Sequence, residues 1–233
     1  MTPRVTPILA LDVANAAAAL ALVDELGVQC RFYKIGSELL TAEGPLIVRA
    51  VQSRGASVFL DLKFHDIPNT VRGAVRSAAA LGARLVTVHA SGGRAMLDAA
   101  LAGAREVAGD CDVLAVTVLT SLDAAGLSAA WGRPVGDLQA EVLRLAGDAS
   151  AAGLAGVVCS GQEAAAVRQR FGESLATLVP GVRLAGGRGH DQARVVTPRE
   201  AANAGARYIV VGRAVTAASS PVQAMERVLA DLS

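Results

Sequence analysis

Residues 57–71 read Ser-Val-Phe-Leu-Asp-Leu-Lys-Phe-His-Asp-Ile-Pro-Asn-Thr-Val. The apolar run Val58-Phe59-Leu60 has the look of a buried strand. It ends in three charges, Asp61, Lys63 and Asp66, and Pro68 then opens a helix. Side chains two apart on a strand share a face. Asp61 and Lys63 are therefore expected to point the same way, with Leu62 opposite. Asp66 lies past the strand and can swing back or reach elsewhere. Two carboxylates flanking an ammonium at the end of a buried strand are costly to desolvate. Such an arrangement points to a site, although structural ion pairs use the same residues.

The same strand–helix cadence runs outward from this stretch in both directions. Strands are expected at Ile8–Leu11, Arg31–Ile35, Ser57–Leu62, Leu85–His89, Val113–Leu119, Gly156–Cys159, Leu175–Val179 and Tyr208–Val211. Ala/Leu-rich segments of helical period separate them. One helix is expected from the Asn15 cap to Leu26, and another from the second strand to about Arg54. Further helices are expected over 70–81, 94–108, 137–152, 163–171, 197–204 and 221–232. A polar segment holding Trp131, Gly132 and Pro134 follows the fifth strand. Eight βα units in 233 residues match a single (β/α)8 TIM barrel of roughly 250 residues, with parallel strands and right-handed crossovers. No linker-like composition interrupts the alternation, so residues 1–233 read as one domain. A doubly wound open sheet would call for a glycine fingerprint after the first strand; Asp12-Val13-Ala14-Asn15 lacks it.

Composition narrows the function. Net charge is +1 and aromatics make up 3%, so neither a phosphate-tracking basic face nor a base-stacking platform is present. Nucleic acid is excluded as a partner on that ground. No apolar run is long enough to span a membrane, and no signal-peptide core precedes the first strand. A cytoplasmic protein without a membrane partner is expected. Cys30, Cys111 and Cys159 lie far apart in apolar surroundings and read as reduced core residues.

In a βα barrel the active site gathers at the C-terminal ends of the strands. Polar residues fall there repeatedly: Asp12, Lys34, Asp61 with Lys63, His89, Thr120, Arg183, and Gly212 with Arg213. The ends of strands seven and eight commonly hold phosphate. Arg183 and Arg213 offer guanidinium forks for it, and the glycine-rich 185–192 loop and the Gly212 turn offer backbone N–H groups. His65 reads as a loop-packing residue and His89 as a core histidine. No metal-ligand spacing stands out, although Asp12, Asp61 and Asp66 together could ligate Mg²⁺.

At these residues the chain resembles the orotidine 5′-phosphate decarboxylase family. The most specific motif is Asp61-Leu62-Lys63-Phe64-His65-Asp66-Ile67-Pro68-Asn69-Thr70-Val71. Leu9-Ala10-Leu11-Asp12, Tyr33-Lys34-Ile35-Gly36, Val116–Ser121, Val179–Arg183, Asp191-Gln192 and Val210–Arg213 support it. The resemblance implies conversion of orotidine 5′-phosphate to UMP and CO₂ with no cofactor and no metal. It implies that Lys63 donates the proton and that Asp61, Lys34 and Asp66 complete a charged array. Asp66 would come from the partner subunit of a homodimer. Asp12 and Lys34 would hold the ribose. Thr120, Ile67 and Thr70 would lie against the substrate, and Arg183, Gln192, Gly212 and Arg213 would hold its phosphate. Leu184 stands where the family often has proline, which loosens the closing loop slightly.

The residues support that chemistry independently. A carbanion left by CO₂ on a pyrimidine carbon is poorly delocalised and needs a nearby positive charge. Flanking carboxylates keep Lys63 as the ammonium, which can both stabilise and protonate the anion. The alternatives are a Mg²⁺-dependent sugar-phosphate decarboxylase or synthase with the same Asp-x-Lys-x-x-Asp core, and a non-catalytic phosphate-ligand barrel. A Schiff-base aldolase requires a neutral lysine, which the same carboxylates oppose.

Overall fold

A computed structural model describes residues 5–184 and 195–233. The chain begins with β1 (Thr6–Ala10) and α1 (Ala16–Leu26), then β2 (Phe32–Gly36), α2 (Ser37–Glu43) and α3 (Leu46–Gln52). Next come β3 (Ser57–Phe64), α4 (Pro68–Ala80), β4 (Leu85–His89) and α5 (Arg94–Arg105). The second half holds β5 (Asp112–Val116), α6 (Ala124–Trp131), α7 (Leu138–Ala151), β6 (Gly156–Val158) and α8 (Gly161–Phe171). It closes with β7 (Ala176–Val182), α9 (Pro198–Asn203), β8 (Tyr208–Val211), α10 (Arg213–Thr216) and α11 (Pro221–Asp231).

All eight strands are parallel and hydrogen-bond in sequence order, and β8 returns to β1 through Thr6↔Tyr208 to Leu9↔Val211. This closed barrel is the TIM barrel expected from the eightfold alternation. Strand alternation sorts the core into two layers. Ile8, Phe32, Phe59, Leu85, Leu114, Leu178 and Val210 fill the barrel. Their neighbours Leu9, Tyr33, Leu60, Val86, Val179 and Ile209 face outward under the helices. Parity then decides the rim: continuing Ile8 and Ala10 leads to Asp12, Phe32 leads to Lys34, and Phe59 leads to Asp61.

Local chemistry starts and stops the helices where capping residues occur. The Asn15 side chain accepts from the Ala18 N–H and opens α1, and Ser160 with Glu163 forms a capping box on α8. Several boundaries differ from the sequence reading. The long helix expected before Arg54 is two, because Gly44 at φ 66° ends α2 and Pro45 precedes α3. The polar segment after β5 contains α6, capped by Asp123 on the Gly126 N–H and closed by left-handed Gly132. β5 stops at Val116, while β7 runs on through Pro180 to Val182 across a register shift. Cys30 and Cys159 are buried and Cys111 is half-buried, all free thiols. Burial pushes the Cys111 thiol up to about 11. Among the described residues no helix is long and apolar enough to cross a membrane.

Candidate active site

A cavity of about 510 Å³ opens at the C-terminal mouth of the barrel. Asp12, Lys34, Asp61, Lys63, Thr120, Arg183, Gly212 and Arg213 all line it. Its floor is apolar, built from Phe59, Val116, Val158, Leu178 and Val210. Ser121, Val118 and Pro180-Gly181 of β7 also line the wall, and the sequence reading had given none of these a role.

One side of the cavity carries four charges of alternating sign. Lys34 Nζ donates to Asp12 Oδ1 at 2.8 Å and lies 3.8 Å from Asp61 Oδ2. Lys63 Nζ lies 2.8 Å from each Asp61 oxygen. The Lys34 and Asp61 side chains are only 11% and 14% exposed, whereas Lys63 is 36% exposed toward the cavity. Two nearly buried ions persist because each faces an opposite charge. Burial pushes the Asp61 carboxyl up, but Lys63, Lys34 and hydrogen bonds from Lys63 and Thr87 outweigh it and hold the group below its ordinary 3.8. Gly36 leaves room for the first pair: a Cβ there would stand 3.2 Å from Lys34 Nζ and 3.6 Å from Asp12 Oδ1.

Asp61 and Lys63 do converge, but not by simple strand alternation. Leu60 pairs with Val86 and Phe64 with Val88, so three residues of β3 oppose Thr87 alone. Lys63 sits at φ 49°, the one non-glycine residue at positive φ among those described. That conformation costs an L-residue on the order of 1–2 kcal/mol. The bulge turns the Lys63 ammonium back onto the Asp61 carboxylate.

The structure does not bring Asp66, Ile67 or Thr70 into this cavity of their own chain. All three are exposed, Ile67 to 67%. Asp66 Oδ1 accepts from the Ile67 N–H at 2.6 Å. His65 and His89 lie against each other with ring centroids 5.3 Å apart and planes tilted by 32°. Burial, then electrostatic repulsion from His65 and Lys63, lower the His89 pKa below 6.5, against an opposing pull from Asp61. On the far wall the Arg183 backbone N–H donates to the Val196 carbonyl at 2.9 Å. Among the described residues the buried Arg183 Nε has no hydrogen-bond partner. Gln192 and the glycine-rich loop lie outside the described residues. Among the described residues no group of three or more His, Cys, Asp or Glu could hold a metal ion. Asp12 and Asp61 already hold lysine ammonium groups, and Asp66 lies elsewhere.

The model of the family described as orotidine 5′-phosphate decarboxylase / HUMPS matches residues 6–228. The chain belongs to the orotidine 5′-phosphate decarboxylase / HUMPS family. Curated relatives carry the first of those names. The chain is 50% identical over 232 residues to "Orotidine 5′-phosphate decarboxylase" of Anaeromyxobacter sp. (strain K), covering 100% of both. It is 49% identical over 226 residues to the protein of that name from Halorhodospira halophila, covering 97% of this chain and 95% of the relative. Among solved structures, the orotidine 5′-phosphate decarboxylase of Lactobacillus acidophilus superposes with a TM-score of 0.86 at 34% identity. That match covers 99% of each chain. The family resemblance of the 61–71 motif is thus matched over nearly the whole barrel.

Proposed function

We propose that the chain decarboxylates orotidine 5′-phosphate to UMP and CO₂, the UMP-forming step of pyrimidine biosynthesis, using side chains alone. The observation that carries this reading is Lys63, fixed at 2.8 Å from both Asp61 oxygens in a cavity with an apolar floor. Around the closed rim, Arg183 and Arg213 of the β7 and β8 ends lie beside Asp12 and Lys34 of β1 and β2, which lie beside Asp61 and Lys63. That order matches phosphate, ribose and base along a nucleotide. Arg183 Nε, without a partner among the described residues, supplies a donor for the phosphate, and the floor of Phe59, Val116 and Val158 suits a flat ring.

The chemistry follows from this placement. As the C–C bond breaks, its electron pair stays on the ring carbon and CO₂ leaves. Positive charge on Lys63 stabilises the carbanion, and an Nζ proton then transfers to that carbon. The Lys63 amine recovers its proton from water. Asp61 holds the Lys63 side chain in place, so the stabilisation needs no reorganisation at the moment of reaction. Phosphate binding at the far wall contributes energy that remote contacts can direct to the reacting end.

The array's third carboxylate is proposed to come from a second copy. Asp66 and the exposed Ile67 would project from one subunit of a homodimer into the other's cavity, bringing Ile67 and Thr70 against the substrate. We read the protein as one domain acting in the cytoplasm. The Mg²⁺-dependent alternative is disfavoured because both in-cavity carboxylates are occupied by ammonium groups. The test is incubation of purified protein with orotidine 5′-phosphate in excess chelator. UMP and CO₂ should form in equal amounts. No product, or product only after Mg²⁺ is restored, would overturn the reading.

A further inference from the structure

Within the barrel, Thr87 is the polar side chain placed between the apolar interior and the charged rim. It lies on β4, two residues after Leu85 of the interior core, and is fully buried. Its Oγ1 accepts the Lys63 backbone N–H at 3.0 Å and sits 2.9 Å from Asp61 Oδ1. A backbone N–H can only donate. The hydroxyl therefore accepts there, and its own proton points to the Asp61 carboxylate. The bulge explains why the contact exists: three residues of β3 oppose this one residue of β4, so the Lys63 N–H has no place in the regular ladder. Without the hydroxyl that donor would be left unsatisfied at a residue already held at φ 49°.

We propose that Thr87 is a positioning residue for the decarboxylation. Through one hydroxyl it fixes both the backbone that carries the Lys63 ammonium and the carboxylate that orients that ammonium. It does not touch the reacting atoms. The inference rests on the function proposed above. It also makes a claim about the ligand-free protein that can be read separately. Other charged groups facing Asp61 are Lys34 from β2 and Lys63 from β3 itself. His89 of β4 senses its charge, and Asp12 stands beyond Lys34.

The test compares Thr87→Val, which keeps the shape and removes the hydroxyl, with Thr87→Ser, which keeps the hydroxyl and trims a methyl. Losing a hydrogen bond to a charged group in a closed site corresponds to about a 10- to 100-fold loss. Thr87→Val should lower kcat for orotidine 5′-phosphate by that factor, change KM by less than about threefold, and move the acid limb of the kcat–pH profile upward. Thr87→Ser should recover most of the loss. Amide hydrogen exchange at Lys63 in the ligand-free protein should quicken at least about tenfold in Thr87→Val and little in Thr87→Ser. If Thr87→Val does not fold, Thr87→Ala against Thr87→Ser serves as the same comparison. The proposal is overturned if exchange at Lys63 is unchanged while wild-type protein turns over. Equal losses of kcat in the Val and Ser variants would also overturn it, because a packing role alone gives that result. Wild-type protein that fails to turn over, with Lys63 exchange still dependent on the hydroxyl, would instead count against the proposed function.

Discussion

Replacing Asp61 with asparagine is the sharpest perturbation of the charged array. The variant keeps the size of the side chain and removes one charge that two lysines share. At an effective dielectric of about 20, a charge pair at the 2.8 Å Lys63 contact is worth about 6 kcal/mol, and at the 3.8 Å Lys34 contact about 4 kcal/mol. These are gross figures. Lys63 is more than a third open to solvent, and desolvation offsets much of the remainder. Breaking a buried pair costs roughly 3–5 kcal/mol in practice, and the open Lys63 favours the lower end. About 3 kcal/mol corresponds to a melting temperature lower by roughly 6–12 °C for a chain of this size. If the same interaction is kept in the transition state, kcat/KM falls at least about 100-fold. The pH dependence has a defined sign. The folded Asp61 carboxyl is held below its ordinary value, so its contribution is complete above about pH 4. It is lost as pH falls through the folded value. Wild type and Asp61→Asn should therefore differ by a constant margin in melting temperature from pH 8 to about pH 5, and converge in strong acid. Calorimetry across that range, with an absorbance assay of orotidine 5′-phosphate loss, reads both effects. A variant melting within about 2 °C of wild type and turning over within about fivefold would refute the reasoning.

The remaining predictions concern the flanks of the site. His89 is held below 6.5 in the fold, so the unfolded chain binds a proton first as pH drops, and stability declines from about pH 6.5 downward. His89→Gln should flatten that part of the stability–pH curve; an unchanged slope would assign the decline elsewhere. Arg213→Ala should weaken binding of a 5′-phosphorylated nucleotide far more than of its phosphate-free nucleoside, as measured by calorimetric titration. Equal losses would remove the phosphate role. Mixing inactive Lys63→Ala and Asp66→Ala subunits should restore activity, because a hybrid dimer assembles one intact site. Confirmed subunit exchange without recovery would count against a shared site.

Much of the barrel is legible in the sequence because each strand is short and apolar and is followed by a segment of helical period. The rim is legible for a related reason. In a closed parallel barrel, the first polar residue of inward parity after an apolar strand faces the mouth, which places Asp12, Lys34 and Asp61 without coordinates. Strand parity fails at Lys63, where the β3 bulge, not the pleat, turns the side chain. A bulge is a mismatch between two strands, and one strand's pattern does not contain it. Thr87 is missed for the same reason. In Leu-Val-Thr-Val-His a threonine is ordinary strand composition, and its role comes from the irregular strand beside it. The division of the 37–52 helix could have been read from Gly44-Pro45, and α6 from the Asp123 cap and Gly132 stop. Asp66 stays outside its own chain's cavity because it sits on an exposed turn past the strand. The sequence reading assigned it to a partner on resemblance alone.

The central claim is that the Lys63 ammonium, held by Asp61, stabilises and protonates the carbanion. Lys63→Ala tests it most directly, with turnover of orotidine 5′-phosphate and affinity for UMP measured on the same preparation. The account predicts a loss of turnover of at least about 10⁴-fold, equivalent to more than about 5 kcal/mol of barrier, with UMP binding still measurable. Turnover within about tenfold of wild type would contradict it.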